Sequence, residues 1–336
     1  MEFHKAVKDL ISILSEISKE RPYLGIEFSN YSEASEIYEV DKIWDCDDFK
    51  TFSYLDSSSR VLSVRGANIY ISSLYANDNG KHIMIPLQAS IPFMAIKGDR
   101  EVIDKIKSSY LSSFVITENI NGFRYDESYK DDNILDELRI NLENHVINSS
   151  NNIMIVDGPV FPGPYLPMVG EPYRSTYETL ILNRKTDNLV GIVKRLNYSR
   201  KLSRVRGLWK FNDNATDDVI TMYLGKNEII YVSPIYEEKV ELTNKSLKRY
   251  MVYCKVRDSV FRVESPDKEM LCKGVKTAIN HSSYRGIPTF IESADKLSRK
   301  LGASAFLISF IYAKSMIGVN YEDWLNYQRA SLEVEE

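Results

Sequence analysis

The chain has 336 residues, of which 43% are hydrophobic and 27% are charged, a composition typical of a folded globular protein. The formal net charge of −4 excludes a surface that is basic all over, although a local basic patch is compatible with it. This length fits one large domain, or a core with a substantial insertion.

The cysteine and histidine content argues against a disulfide framework and against a zinc site. Cys46, Cys254 and Cys272 form no C-x-x-C pair and are odd in number, which favours a reducing cytoplasm as the location. The four histidines are scattered and show no His-x-x-x-His spacing. Any metal in this protein is therefore expected to be held mainly by oxygen atoms.

The N-terminal segment, residues 1–48, is predicted to begin with an amphipathic helix. Charged residues occur throughout its first twenty positions, which excludes a signal peptide. Apolar residues recur there every three or four positions, at Phe3, Val7, Leu10, Ile11, Leu14 and Ile17. We expect this helix to contribute to a protein interface; the alternative is that it packs on its own core. Residues 49–336 are taken as the main domain.

Three strands joined by short turns are predicted next in the chain. Residues 51–56, 61–76 and 81–89 are rich in β-formers, and the sequence Asn-Asp-Asn-Gly at 77–80 is a turn signal. Such an order is typical of an antiparallel meander.

The central part of the chain alternates between helix and strand patterns. Residues 97–113 and 131–147 are predicted to be helical. Residues 152–157 and 188–196 are nearly continuous apolar runs, which is typical of strands buried on both faces.

The C-terminal part is predicted to be mainly β over residues 217–264 and helical from residue 267 onward. Its most apolar stretch, residues 303–313, is too short to span a bilayer, so we expect a buried helix and no membrane association. The whole order predicts an α/β fold in which helices flank a mixed sheet, with a β insertion around 217–264.

Three acidic residues stand out by their positions in these elements. Asp56 ends the first predicted strand, Asp157 ends a buried strand, and Glu137 lies in the helix between them. An ionised carboxylate at the end of an apolar strand needs a partner, and Mg²⁺ or Mn²⁺ is one such partner. Two such cations about 4 Å apart promote phosphodiester cleavage. The alternative is that the aspartates cap turns and that Glu137 is a solvated helix residue.

A basic stretch runs from residue 188 to residue 212 without any acidic residue. Lys194 ends a predicted buried strand and is the candidate for holding a scissile phosphate near bound metal. The other basic residues of the stretch can contact a DNA backbone. We assign this contact to Arg195, Arg200, Lys201, Arg204 and Arg206. The alternative is a solvated charged loop.

Together, these segments resemble the NurA family of nucleases over roughly residues 50 to 300. The resemblance rests on Tyr-Leu-Asp-Ser-Ser at 54–58, a helical Glu before Val-Asp-Gly at 156–158, Gly-Ile-Val-Lys at 191–194, and the Gly-Ile-Pro element at 286–288. It implies an RNase H-like fold, manganese-dependent or magnesium-dependent DNA end processing in double-strand break repair, a homodimer, and partnership with the hexameric ATPase HerA. It also implies that Asp56, Glu137 and Asp157 bind metal.

The chain departs from the family pattern near its C-terminus. Ile287 stands where the family usually has a Tyr, and nearby Tyr284 is the candidate to replace its contact with DNA. Asp295 stands where the family usually has a His. Because Asp ligates a hard cation at least as well as His, we hypothesise that Asp295 completes the metal site. The alternative is that Asp295 is only a polar helix residue.

Two functions from different classes therefore compete. The first is an active metal-dependent DNA nuclease that uses Asp56, Glu137, Asp157, Asp295 and Lys194. The second is a catalytically inactive subunit that binds DNA or caps the HerA ring. A third interpretation is another RNase H-like enzyme, such as a structure-specific or guide-dependent nuclease.

Overall fold

The computed structural model describes residues 8, 11–12, 37–88, 91–164, 166–205, 208 and 215–335. Arg206 and most of the predicted N-terminal helix lie outside these residues. The interface expected of that helix therefore stays a prediction.

One mixed sheet of 12 strands dominates the described part of the chain. Its strands are β1 (Ile37–Asp41), β2 (Ser53–Val64), β3 (Ala67–Asp78), β4 (Lys81–Ile85), β5 (Met94–Gly98), β6 (Val115–Ile116), β7 (Met154–Asp157), β8 (Leu189–Val193), β9 (Ile230–Val232), β10 (Ile235–Glu241), β11 (Ser246–Val256) and β12 (Ser259–Ser265). Their order is β1-β10-β11-β12-β8-β7-β2-β3-β5-β6, with β4 paired to β3 and β9 paired to β11. The strands of the β-rich segment thus extend the same sheet.

Helices cover both faces of this sheet. They are α1 (Arg100–Lys107), α2 (Asp131–Ser149), α3 (Tyr173–Leu182), α4 (Asp217–Leu224), α5 (Lys268–Asn280), α6 (Thr289–Met316) and α7 (Tyr321–Glu335). Leu55 and Val156 belong to a core beneath α2 and α3. Ile155 and Ile192 point to the opposite face, where α5 and the start of α6 pack. The predicted α/β fold with a mixed sheet flanked by helices is confirmed.

The meander is confirmed, but its first two strands are bounded differently from the prediction. β2 continues without a break from Ser53 to Val64, so Asp56 lies inside a strand instead of at its end. The chain reverses at Gly66, whose φ of +82° favours a residue without a Cβ. The serines after Asp56 suggested a turn, but they pair with β3 and remain in the ladder.

The sequence did not predict β1 or α3. β1 is an edge strand with four of its five residues exposed, so its residues lack the alternation of apolar and polar side chains that marks a half-buried strand. α3 spans 10 residues and shows only a short apolar pattern. Both elements depend on packing against parts of the chain that are distant in sequence.

A disulfide joins Cys46 to Cys272 across 226 residues of sequence. The sequence argued against a disulfide framework, and the described residues hold this single disulfide. Spacing along the chain carries no information about a pair this far apart. The bond fastens the segment after β1 to α5, and Cys254 is a buried free cysteine.

The apolar stretch at residues 303–313 belongs to α6 but is not wholly buried. Phe306 and Phe310 are buried, whereas the side chains of Ile308 and Ile311 are 59% and 57% exposed. This stretch is therefore the middle of an amphipathic surface helix. Within the described ranges, no helix is long and apolar enough to cross a bilayer.

Candidate metal centre

Three neighbouring parallel strands, β2, β7 and β8, bring charged side chains to one place. Leu55 of β2 pairs with Val156 of β7, and Asp157 pairs with Ile192 of β8. Successive side chains of a strand point to opposite faces. The register therefore puts Asp56 and Asp157 side by side on the face that α6 covers.

Helix α6 supplies the third carboxylate. It packs across β2 and β3 and carries Asp295 in its second turn. One turn later, Ser298 donates a hydrogen bond from its Oγ to Oδ2 of Asp56, at 2.8 Å. Ser73 of β3 donates to the backbone carbonyl of Ser298, at 2.7 Å. These contacts fix α6 over the sheet at the level of the two strand carboxylates.

The carboxylates of Asp56, Asp157 and Asp295 form one cluster, in which one oxygen of each lies within 4.8 Å of the others. Lys194 follows β8 directly and reaches the same cluster. Its Nζ lies 2.6 Å from Oδ2 of Asp157 and 3.6 Å from Oδ1 of Asp295. Arg299 pairs with the outer oxygen of Asp295 at 3.0 Å.

The pKa values of the cluster are shifted because several negative charges lie close together where little water reaches them. Burial raises the pKa of Asp56, and the negative charge of Asp157 raises it further, against the hydrogen bond from Ser298. Burial also raises the pKa of Asp157, although the adjacent Lys194 lowers it. Burial acts to lower the pKa of Lys194, but the charge of Asp157 keeps it above its ordinary value. A cation is the partner that would relieve this repulsion.

The donor set fits a hard divalent cation. Mg²⁺ and Mn²⁺ prefer carboxylate oxygens and bind proteins through few of them, leaving other positions to water and phosphate. Asp56, Asp157 and Asp295 offer such oxygens at one convergent point. The structure brings Asp295 together with the two strand aspartates, and its role as a metal ligand stays a hypothesis.

Glu137 does not lie in this cluster. Its carboxylate accepts hydrogen bonds from the hydroxyls of Tyr125, at 2.9 Å, and Tyr129, at 2.5 Å. Burial raises the pKa of Glu137 to about 7, against the lowering effect of the two hydroxyls. This placement corrects the expectation that Glu137 shares a site with Asp56 and Asp157. The helix phase is the reason, because Glu137 points toward the tyrosines packed beside α2.

Glu143 is the glutamate of α2 whose charge acts on Asp157. It accepts hydrogen bonds from Ser57 and from Arg139, at 2.5 Å and 3.0 Å, and from buried Arg184 at 2.6 Å. Burial acts to raise the pKa of Glu143, but the two arginines hold it below its ordinary value. Glu143 is therefore an ionised residue whose charge is already balanced.

The basic stretch divides into side chains that point inward and side chains that point outward. Lys201 and Arg204 approach the buried carboxylate of Glu238 in β10, at 2.7 Å and 3.5 Å. A buried carboxylate requires cationic partners, so both side chains point inward here, and their contact with DNA stays a prediction. Leu202 and Ser199 bind the buried carboxylate of Asp217, which further fixes the loop.

The remaining predicted DNA contacts lie at the surface or outside the described residues. Arg195 is exposed and directly follows Lys194, and Arg200 is half-buried in the same loop. Tyr284 is 75% exposed in the turn between α5 and α6, next to Arg285. Ile287 is partly buried against the core under α5. Arg206 is not among the described residues.

Ser298 and Glu143 were missed in the sequence. The signal for Ser298 was its spacing of three from Asp295, which puts both on one face of a helix. For Glu143 the signal was its spacing of four from Arg139, which is normally read as a surface ion pair. In the folded protein both side chains instead contact β2, where Ser298 binds Asp56 and Glu143 binds Ser57.

Comparisons with known proteins give the following similarities. A family profile described as the NurA domain matches residues 51–299. The crystal structure of the NurA nuclease from Sulfolobus solfataricus is 12% identical, has a TM-score of 0.46, and aligns over 88% of this chain and 92% of its own. A structure of NurA bound to dAMP and manganese is 8% identical, has a TM-score of 0.38, and aligns over 87% and 92%. No curated protein is similar enough to count as a match.

Proposed function

This chain belongs to the NurA family, and we propose that it is a DNA nuclease that depends on Mn²⁺ or Mg²⁺. The observation that carries the proposal is the convergence of Asp56, Asp157 and Asp295, whose oxygens lie within 4.8 Å of one another. Carboxylates at this spacing that are largely withdrawn from water repel one another, and this repulsion destabilises the folded protein. Binding of a divalent cation gives a physical reason for keeping them.

In the proposed mechanism, each residue has a distinct task. Asp56, Asp157 and Asp295 would hold the cation, and the chemistry it would supply there is neutralisation of phosphate charge and activation of water for attack on phosphorus. Ser298 holds Oδ2 of Asp56 and so fixes the direction of its other oxygen. Lys194, at the edge of the cluster, binds a non-bridging oxygen of the phosphate. Exposed Arg195 extends this contact along the DNA backbone.

We further propose an RNase H-like arrangement and the wider role that the family implies. Carboxylates from neighbouring strands, joined by one from a helix that crosses the sheet, support this arrangement. The wider role is DNA end resection in double-strand break repair, in the cytoplasm, by a homodimer that works with a HerA-type hexameric ATPase. Tyr284, exposed in the turn before α6, would contact the DNA in place of the Tyr that Ile287 replaces.

The second candidate is an inactive subunit that binds DNA or caps the ATPase ring. The observations that favour it are the Ile at position 287 and the balanced charge of Glu143 between two arginines. We favour the active enzyme because Asp295, which replaces the usual His, points into the cluster.

The decisive experiment is cleavage of end-labelled single-stranded and double-stranded DNA with Mn²⁺, Mg²⁺ or EDTA, with and without a HerA-type ATPase. We compare the wild type with Asp56→Asn, which keeps the size of the side chain and can accept the hydrogen bond from Ser298. We expect metal-dependent degradation by the wild type and a loss of at least about 100-fold in the variant.

The matched control is Asp258→Asn, an exposed aspartate in the turn between β11 and β12. It should cleave like the wild type. If the folded wild type bound DNA but cleaved it under none of these conditions, the inactive subunit would be the better account.

A further inference from the structure

Lys194 is bound by the carboxylates that are proposed to hold the metal. Its ammonium group donates to Oδ2 of Asp157 at 2.6 Å and lies 3.6 Å from Oδ1 of Asp295. The charge of Asp56 also acts on it. One lysine thus contacts two of the three carboxylates of the cluster and lies within electrostatic reach of the third.

This position follows from the fold. β8 ends at Val193, and Lys194 is two residues beyond Ile192, whose pairing partner is Asp157. Ile192 and Lys194 therefore point to the same face as Asp157. The side chain of Lys194 is only 20% exposed, so its charge is largely withdrawn from water and depends on these carboxylates.

The same oxygens are needed for a divalent cation. Mg²⁺ and Mn²⁺ bind carboxylate oxygens at about 2.1 Å, far closer than an ammonium hydrogen bond. A cation at that distance from Asp157 and Asp295 would meet the ammonium group as a like charge in a poorly hydrated place. We propose that Lys194 serves as an internal counter-ion of the three aspartates, competes with the metal for them, and thereby lowers the affinity of the site for divalent cations.

This competition has a consequence for the proposed nuclease reaction, on which the inference rests. A cation that displaces the ammonium group from Asp157 leaves Lys194 at the edge of the site with a charge to satisfy. A phosphate oxygen of the DNA supplies the partner. Metal binding would thus release Lys194 for the substrate, so that phosphate contact is made only by the metal-loaded site.

The test is the affinity for Mn²⁺ alone, without DNA, measured by calorimetry and by the electron paramagnetic resonance signal of free Mn²⁺. Lys194→Met removes the competing charge and keeps a side chain of similar length. We expect it to bind Mn²⁺ about tenfold more tightly than the wild type, while cleaving DNA more slowly. Lys194→Arg keeps the charge and should bind no more tightly than the wild type.

Lys296→Met is the matched control, because Lys296 is next to Asp295 in the chain but exposed. It should leave the affinity for Mn²⁺ unchanged, which separates local competition from a general change in net charge. If Lys194→Met does not fold well without metal, Lys194→Gln keeps a hydrogen bond to Asp157 and tests the same point.

Unchanged or weaker Mn²⁺ binding by the neutral variants would overturn the inference and would indicate that Lys194 instead orients Asp157 as a ligand. Equal tightening by Lys194→Met and Lys296→Met would overturn it as well. These outcomes differ from failure of the proposed function, in which the wild type itself would bind no Mn²⁺ and cleave no DNA.

Discussion

At the scale of single residues, Glu137 is a buried carboxylate held by the tyrosine hydroxyls of Tyr125 and Tyr129. Burial raises its pKa from 4.5 to about 7, so the folded protein keeps a proton that the unfolded chain releases in this range. The free energy of unfolding should therefore decrease as the pH rises from 4.5 to 7. Glu137→Gln stays neutral, and we expect its stability relative to the wild type to increase with pH, by at most about 1.4 kcal/mol per unit.

Urea unfolding at pH 5, 6, 7 and 8 measures this difference. The comparison between two proteins is needed because Asp56 and Asp157 also have raised pKa values and contribute to the pH dependence of both. Glu127→Gln, at an exposed position nearby, should give a curve parallel to that of the wild type. A constant gap between Glu137→Gln and the wild type at all four pH values would contradict the prediction.

The sequence predicts those residues of the candidate site whose side-chain direction follows from their position in a strand. Asp56 and Asp157 follow apolar strand residues, and the register of two neighbouring parallel strands aligns them. Asp295 was indicated only by the family resemblance. Glu137 could not be placed from sequence, because a helix turns by 100° per residue. Six positions separate it from Glu143 and rotate the side chain by about 240°.

At the scale of elements, the contact between β8 and the turn after β7 determines where Asp157 lies. A Cβ at Gly191 would come within 2.5 Å of the carbonyl oxygen of Gly158 and 2.9 Å of the amide nitrogen of Val160. These are backbone atoms and cannot rotate away. We expect Gly191→Ala to lower the free energy of unfolding by about 1–3 kcal/mol and to weaken Mn²⁺ binding, because the turn carrying Asp157 must shift.

Gly170→Ala is the matched control for this substitution, because nothing lies within 4 Å of a Cβ added there. It should change neither chemical denaturation nor Mn²⁺ affinity. Wild-type stability of Gly191→Ala would show that the turn adapts without cost, and the account of this glycine would then be wrong.

Elements with a strong local pattern were predictable, and those stabilised by distant contacts were not. The helix α2 and the strands β7 and β8 each carry a continuous apolar signal, and all three are present. β1 is nearly all exposed, so only its pairing with β10, some 200 residues away, makes it a strand. The end of β2 was misplaced because serines favour turns locally, whereas pairing with β3 extends the strand.

At the scale of the whole molecule, the sequence predicts the order of the helices and strands. It does not predict the contacts between segments that are distant in the chain. Cys46 and Cys272 are paired because β1 returns to the edge of the sheet beside β10 and the following segment meets α5. Nothing in the local sequence encodes that return. The packing of helices on both faces of the sheet was predictable, since apolar strands that alternate with helices must be buried on both faces.

Among the described residues, the C-terminal half of α6 exposes an apolar face. Ile308, Ile311 and Tyr312 are 59%, 57% and 65% exposed. Contiguous exposed apolar residues on a helix are typical of a protein interface. If the proposed homodimer uses this face, the free energy needed to bury a charge there would exceed the free energy that the apolar contact contributes. We therefore expect Ile311→Asp to convert the dimer to a monomer at micromolar concentration, as measured by sedimentation velocity.

Ile229→Asp tests whether any exposed isoleucine has the same effect, because Ile229 is 74% exposed elsewhere on the surface. It should leave the dimer intact.

Deletion of residues 1–20 tests the other predicted interface in the same measurement. If the dimer persists in Ile311→Asp but dissociates on this deletion, the N-terminal segment forms the dimer interface. The exposed face of α6 would then be the candidate surface for binding the ATPase. A wild type that is monomeric at every concentration would remove the homodimer from the proposal. The cleavage experiment would then still test the active site within a single chain, since Asp56, Asp157, Asp295 and Lys194 all come from one copy.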